Sequence, residues 1–291
     1  MEREYTLGLY EKSMPSDLSW EQKMLSAKAA GFDYIEISID ETDAKLARLD
    51  MSKEERLELV RLMMVTGVPI RSMCLSGHRK YPLGSNDPEV EKRGMEIMEK
   101  AIQLAEDLGI RIIQLAGYDV YYEESSFETK KRFLKNLKKA THMAEKAGVV
   151  LGFETMETEF MNTVEKAMKY TTLVDSPYLN VYPDIGNITN AAIEYKNDVL
   201  EDMMIGKGHL CAMHLKETVP GKFREIPFGT GHVNFKEAIN LAWQLGIRKY
   251  VTEFWYVGNE NWKEDLVFAH DMFEKMLDEQ MTGKDEKNVE S

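Results

Sequence analysis

FETKKRFLKNLKKATHMAEKAGVVLGFE, residues 127–154, decides the fold. Phe127–Ala147 reads as a helix, with the basic run Lys130-Lys131-Arg132 through Lys138-Lys139 on its solvated face. Gly148 ends it, as glycine does where the chain must turn left-handed after a helix. Val149–Phe153 is then a short apolar run of strand length, and it closes on a carboxylate, Glu154. One segment thus holds a helix, a glycine stop, a buried strand and a polar strand end.

The same unit recurs in both directions. Upstream, the expected strands are Tyr5–Tyr10, Tyr34–Ile39, Ile70–Leu75 and Arg111–Ala116. Between them lie a helix from the N-cap Ser19 to Gly31, a helix Lys53–Thr66 and a helix Pro88–Leu108. Ser19 with Gln22, and Ser52 with Glu55, have capping-box spacing. Asp87 followed by Pro88 places a cap before a proline at the first helical position. Downstream, strands Leu179–Pro183, Leu210–Leu215 and Tyr250–Phe254 alternate with helices Thr163–Val174, Ala192–Met204, Phe235–Leu245 and Trp262–Gln280. Eight strands in strict alternation with helices predict an α/β fold with parallel strands. The length of 291 residues suits one closed (β/α)8 TIM barrel. An open doubly wound sheet would show a glycine-rich turn after its first strand, where this chain has Leu9-Tyr10-Glu11-Lys12. The expected organisation is one catalytic barrel over 1–280 and a polar, disordered tail over 281–291.

In such barrels chemistry sits at the C-terminal strand ends. Four consecutive strands end in Glu154, Asp184, His214 and Glu253. A lone acidic residue after a strand is as a rule a loop residue or a helix cap. Four polar ends on adjacent strands are not explained that way, and three carboxylates in one desolvated mouth would repel each other. A divalent cation removes the conflict. Three oxygens and one nitrogen favour Mn²⁺ or Mg²⁺ on ligand hardness, with Zn²⁺ or Co²⁺ as alternatives.

Several segments are similar to a known family. Gly152-Phe153-Glu154-Thr155, Pro183-Asp184-Ile185-Gly186-Asn187, Met213-His214-Leu215-Lys216-Glu217-Thr218 and Thr252-Glu253-Phe254 resemble the xylose-isomerase-like barrel superfamily. Within it, Leu7–Lys12, Gly31–Glu36 and Pro227–Phe235 extend the resemblance to the hexulose- and pentulose-phosphate 3-epimerases, of the ascorbate-utilisation type. The resemblance implies an isomerase that epimerises a ketose phosphate at C3, interconverting L-ribulose 5-phosphate and L-xylulose 5-phosphate. It assigns the metal to Glu154, Asp184, His214 and Glu253, makes Glu154 and Glu253 the acid/base pair, and implies a homodimer. Aldose–ketose isomerases, free-ketose epimerases and inosose dehydratases share the scaffold and are the alternatives. Free-sugar 3-epimerases often carry a histidine three residues after the strand-six aspartate and an arginine six after the strand-seven histidine. Here those positions are Asn187 and Pro220, which favours the phosphorylated branch.

A phosphate needs donors. The loop Ser76–Lys80 offers backbone N–H groups with His78 and Arg79; Lys216 follows the ligand His214 on the same strand face, and Lys222 and Arg224 lie beyond it. With Asn187, these are the expected substrate contacts.

The formal net charge of -13 argues against nucleic acid, and with it against a repair nuclease on this scaffold. No apolar run reaches the roughly 20 residues needed to span a bilayer. The N-terminal residues lack the apolar core of a signal peptide. Cys74 and Cys211 belong to no CxxC pair and read as buried thiols. The expected location is the cytoplasm.

Overall fold

The structure, a computed structural model, describes residues 3–289. Eight strands form one parallel sheet: β1 Thr6–Tyr10, β2 Tyr34–Ser38, β3 Ile70–Leu75, β4 Ile112–Ala116, β5 Val150–Glu154, β6 Leu179–Tyr182, β7 Met213–Leu215 and β8 Lys249–Thr252. Their order is β6-β5-β4-β3-β2-β1-β8-β7. The last seam closes through two isolated parallel bridges, Val181 with Leu210 and Asp184 with His214. The result is the expected TIM barrel, nearly closed, with its loosest seam at two of the four polar strand ends.

Period-2 alternation divides the interior into two cores. Outward-facing Leu7, Leu9, Ile35, Ile37, Ile113, Leu151, Phe153 and Val181 pack against the helices. Inward-facing Tyr10, Tyr34, Cys74, Ile112, Tyr182, Ala212 and Val251 fill the barrel itself. Two glycines make room for that filling. A Cβ on Gly8 would lie 2.4 Å from the Tyr34 ring, and one on Gly152 would lie 2.8 Å from Cys211 Sγ and 3.1 Å from Tyr182 Cβ.

The helices are α1 Trp20–Ala29, α2 Asp43–Leu46, α3 Lys53–Thr66, α4 Pro88–Leu108, α5 Phe127–Ala147, α6 Val164–Val174, α7 Ile185–Tyr195, α8 Val199–Ile205, α9 Phe235–Gln244 and α10 Trp262–Val289. Both anticipated capping boxes form, Ser19 with Gln22 and Ser52 with Glu55. Asp87 caps α4 through the Glu89 N–H.

Three expectations are corrected. The single helix drawn over Ala192–Met204 is two helices. The Asp184 side chain accepts from Asn187 N–H and starts α7 directly at the end of β6. Lys196, at φ 55°, stops α7, and Asp198 caps α8. The short helix α2 and the 3-10 turn Ser76–Arg79 stand where loops were expected. The last helix continues past Gln280 to Val289; the final part of the expected tail, residues 290–291, lies outside the described residues. No helix among the described residues is long and apolar enough to cross a membrane.

Candidate metal centre and active site

The four strand-end residues meet in one buried cluster. One ligand atom from each of Glu154, Asp184, His214 and Glu253 lies within 4.8 Å of all the others. His214 presents Nδ1 to the cluster, 3.1 Å from Glu253 Oε2, 3.3 Å from Glu154 Oε1 and 3.9 Å from Asp184 Oδ2. Asp184 has two duties. Its Oδ1 caps α7, accepting from Asn187 N at 2.8 Å, which leaves Oδ2 for the cluster.

The electrostatics are those of carboxyl groups forced together out of water. Burial raises the Glu154 carboxyl above its ordinary range, and the neighbouring Glu253 adds to the effect. Burial also raises Asp184 well above its usual value, against the opposing pull of Lys216. At Glu253 burial is overcome by Lys216 and His214, which hold its carboxyl well below the usual range. Burial opposes the charged imidazole of His214, but Glu36 and Glu253 outweigh it and push its pKa up. Asp184 Oδ2 and Glu253 Oε2 are buried without a well-formed hydrogen bond. Carboxylate oxygens converging out of water on one imidazole nitrogen are a donor set that a divalent cation would satisfy, so these residues fit the metal inferred from the sequence. The ammonium of Lys216 lies 2.7 Å from Asp184 Oδ2 and 3.5 Å from Glu253 Oε2, so it touches the ligand set itself.

Two residues that the sequence did not single out hold the ligands in place. Glu36, midway along β2 and fully buried, approaches His214 Nε2 at 2.6 Å. It also accepts hydrogen bonds from Ser72 Oγ at 2.8 Å and Tyr182 OH at 3.1 Å. A carboxylate on the far nitrogen of a ligating imidazole fixes its tautomer and ring orientation, and here leaves Nδ1 free for metal. Gln114, inward on β4, donates through Nε2 to Glu154 Oε2. The available signal for Glu36 was a carboxylate flanked by Ile35 and Ile37 inside an apolar strand.

Above the ligands the mouth is lined by Tyr10, Lys12, Arg79, Asn187, Arg224 and Trp255, among others. Glu157 lies between the two arginines, 3.8 Å from Arg79 and 3.5 Å from Arg224. It also accepts from Tyr118 OH at 2.7 Å. The Arg79 guanidinium stands 5.0 Å from the Tyr121 ring centre, a cation–π distance. The segment Pro227–Phe235 acquires a structural role. Buried Glu217 accepts from Gly229 N and Val233 N, both at 3.1 Å, which ties down the loop that carries Arg224.

The structure thus brings Arg79, Asn187, Lys216 and Arg224 to the mouth, but neither His78 nor Lys222. The 3-10 turn buries His78, whose Nε2 lies 3.0 Å from the Gly94 carbonyl oxygen; burial lowers its pKa to about 4. That turn also uses backbone N–H groups expected to face phosphate: Gly77 N bonds Ile39 O at 2.9 Å. Lys222 pairs with Val219 through its backbone in a tight turn, and its side chain is exposed.

Comparison with known proteins identifies relatives of the whole barrel. The chain is 45% identical over 272 residues to the L-ribulose-5-phosphate 3-epimerase UlaE of Salmonella paratyphi A, covering 93% of this chain and 94% of that one. The Escherichia coli O17:K52:H18 protein of the same name is 44% identical with the same coverage. Among solved structures, a D-tagatose 3-epimerase-like protein superposes with a TM-score of 0.77 at 18% identity, over 96% of this chain and 99% of that one. An L-ribulose 3-epimerase gives 0.74 at 18% identity, over 99% and 98%. These two distant likenesses concern the fold alone. The family described as xylose isomerase-like TIM barrel matches residues 25–272. With a parallel eight-stranded barrel, a buried Glu-Asp-His-Glu set at its C-terminal mouth and relatives this similar, the chain belongs to the xylose isomerase-like TIM barrel family.

Proposed function

We propose that this chain is a metal-dependent sugar-phosphate 3-epimerase that interconverts L-ribulose 5-phosphate and L-xylulose 5-phosphate. One observation carries the reading: Glu154 and Glu253 converge on one buried ligand set beneath a rim that holds Arg79 and Arg224. The substrate comes from the named relatives at 45% and 44% identity.

The hydrogen on C3 is acidic because it is α to the C2 ketone. Inversion requires a base on one face of that carbon and an acid on the other. Glu154 ends β5 and Glu253 follows β8, so they reach the substrate from the two sides of the β6–β7 seam. Each takes the C3 proton from one epimer and returns one in the reverse direction. Gln114 and Glu36 keep Glu154 and His214 in register. Arg79 and Arg224 take the phosphoryl group, for which the planar guanidinium is suited. A divalent ion held by Glu154, Asp184, His214 and Glu253, Mn²⁺ or Mg²⁺ on donor hardness, would supply Lewis-acid stabilisation of the negative charge that develops as the proton leaves.

Free Cys74 and Cys211 and a phosphorylated substrate suit a cytoplasmic reaction. The working unit is a homodimer, as the sequence resemblance implies; a single species of 33.5 kDa in sedimentation would refute that. The test of function is exchange of the C3 hydrogen of L-ribulose 5-phosphate in D2O with added metal. Exchange accompanied by L-xylulose 5-phosphate is expected. Metal binding without exchange would move the activity to another sugar or inositol isomerase or dehydratase reaction.

A further inference from the structure

The other end of the barrel also carries charge. Where the strands begin, they open on a cavity of about 440 Å³ lined by Arg71, Arg111 and Lys249, with Tyr34, Ser72 and Tyr182 among its walls. Arg71 lies in β3 and Arg111 directly precedes β4; these neighbouring strands set the two arginines side by side, with Arg111 N bonded to Arg71 O at 3.3 Å. Lys249 opens β8, two strands beyond β2 around the rim.

The carboxylate that lines this cavity, Asp33, is already engaged. Its Oδ2 accepts from Leu7 N at 2.7 Å and its Oδ1 from Arg3 at 3.2 Å. Among the described residues, Arg71, Arg111 and Lys249 have no carboxylate partner. In a chain of net charge -13, with acidic groups abundant, three cations converge on one hollow and remain unpaired. Their mutual repulsion is relieved by an anion between them. The guanidinium groups of Arg71 and Arg111, both exposed at the cavity, offer forked donors that match phosphate oxygens.

We propose that this cavity is a second ligand site, separate from the mouth, for a sugar-sized phosphomonoester. Its phosphoryl group lies on Arg71 and Arg111, with Lys249 closing the charge. This does not depend on which reaction the mouth performs.

The test uses the full chain with metal bound. An R79Q/R224Q variant removes the two arginines of the mouth and isolates the opposite cavity. Titration calorimetry with D-ribose 5-phosphate is expected to give saturable binding at one site per chain. Adding R71Q/R111Q is expected to weaken it at least tenfold, about 1.4 kcal/mol. Arg71 and Arg111 are exposed, so an unchanged melting temperature on adding R71Q/R111Q is the control for folding. Unchanged affinity after R71Q/R111Q, or no saturable binding in R79Q/R224Q, would overturn the inference.

Discussion

Replacing Glu36 by glutamine leaves all four metal ligands untouched and alters only what stands behind one of them. Glu36 is fully buried, lies 2.6 Å from His214 Nε2, and accepts from Ser72 and Tyr182. A glutamine of the same shape has one acceptor oxygen and one NH2 group. It cannot accept all three bonds, and its NH2 must face at least one donor. The imidazole then loses its charged partner and is less firmly held with Nδ1 toward the cluster. Outer-shell partners of ligating histidines typically contribute 10–100-fold to metal affinity, about 1.4–2.7 kcal/mol. The expected result for E36Q is therefore Mn²⁺ affinity lower by one to two orders of magnitude. Titration of free Mn²⁺ by its EPR signal measures this directly, with the thermal melt of the apo form as a check on folding. S72A and Y182F each remove one hydroxyl donor to Glu36 but leave its carboxylate on His214, so they should weaken binding by less, about fivefold at roughly 1 kcal/mol. If E36Q folds and binds Mn²⁺ within twofold of the parent, the role assigned to Glu36 is wrong.

Other perturbations follow from the same geometry. E154Q and E253Q should each slow C3-hydrogen exchange by about 10²-fold or more, the range for a lost general acid or base; near-parental exchange in either variant removes that residue from the proton path. R79Q and R224Q should raise KM for the phosphorylated ketose and leave that for the unphosphorylated ketose little changed; an equal effect on both would show that neither arginine reads the phosphate. Glu11 is buried among Lys23, Lys45 and Arg48, and although burial opposes its charge, Arg48 and Lys45 lower its carboxyl from 4.5 to about 2. Because its folded pKa is depressed, the stabilisation is present above pH 4.5 and is lost as pH falls towards 2, amounting to about 3 kcal/mol. E11Q, which strands three cations, should lose about 3–5 kcal/mol in urea melts at pH 7 and flatten the acid limb; an unchanged melt would show that the cluster contributes nothing.

The fold was legible because its punctuation is local. Ser19 with Gln22, Ser52 with Glu55 and Asp87 with Pro88 announce helix starts, and Gly67, Gly109 and Gly148 at positive φ mark the ends. The cluster of Glu154, Asp184, His214 and Glu253 was legible because each stands where an apolar strand stops. Asp184 misled the helix boundaries for the same reason: read as a strand-end ligand, it was not also read as the cap that starts α7. Glu36 escaped notice because its partners, Ser72, Tyr182 and His214, come from three other strands, and only the barrel's curvature brings them together. His78 was assigned to the mouth because a basic run after a strand resembles a phosphate loop. The 3-10 turn that buries it depends on a tertiary hydrogen bond from Gly77 to Ile39, invisible in the local pattern.

Gly152 performs no chemistry, yet its substitution would reach the metal ligands through the packing. A methyl group there would press on Cys211 and Tyr182, and Tyr182 is one of the donors to Glu36. A screen of random variants for lost activity would therefore rank Gly152 beside the acidic ligands, although it could touch neither metal nor sugar. Inheritance at this position is narrowed first by the sulfur of Cys211 and next by Tyr182, and descendants of this chain can enlarge residue 152 only if residue 211 first gives way.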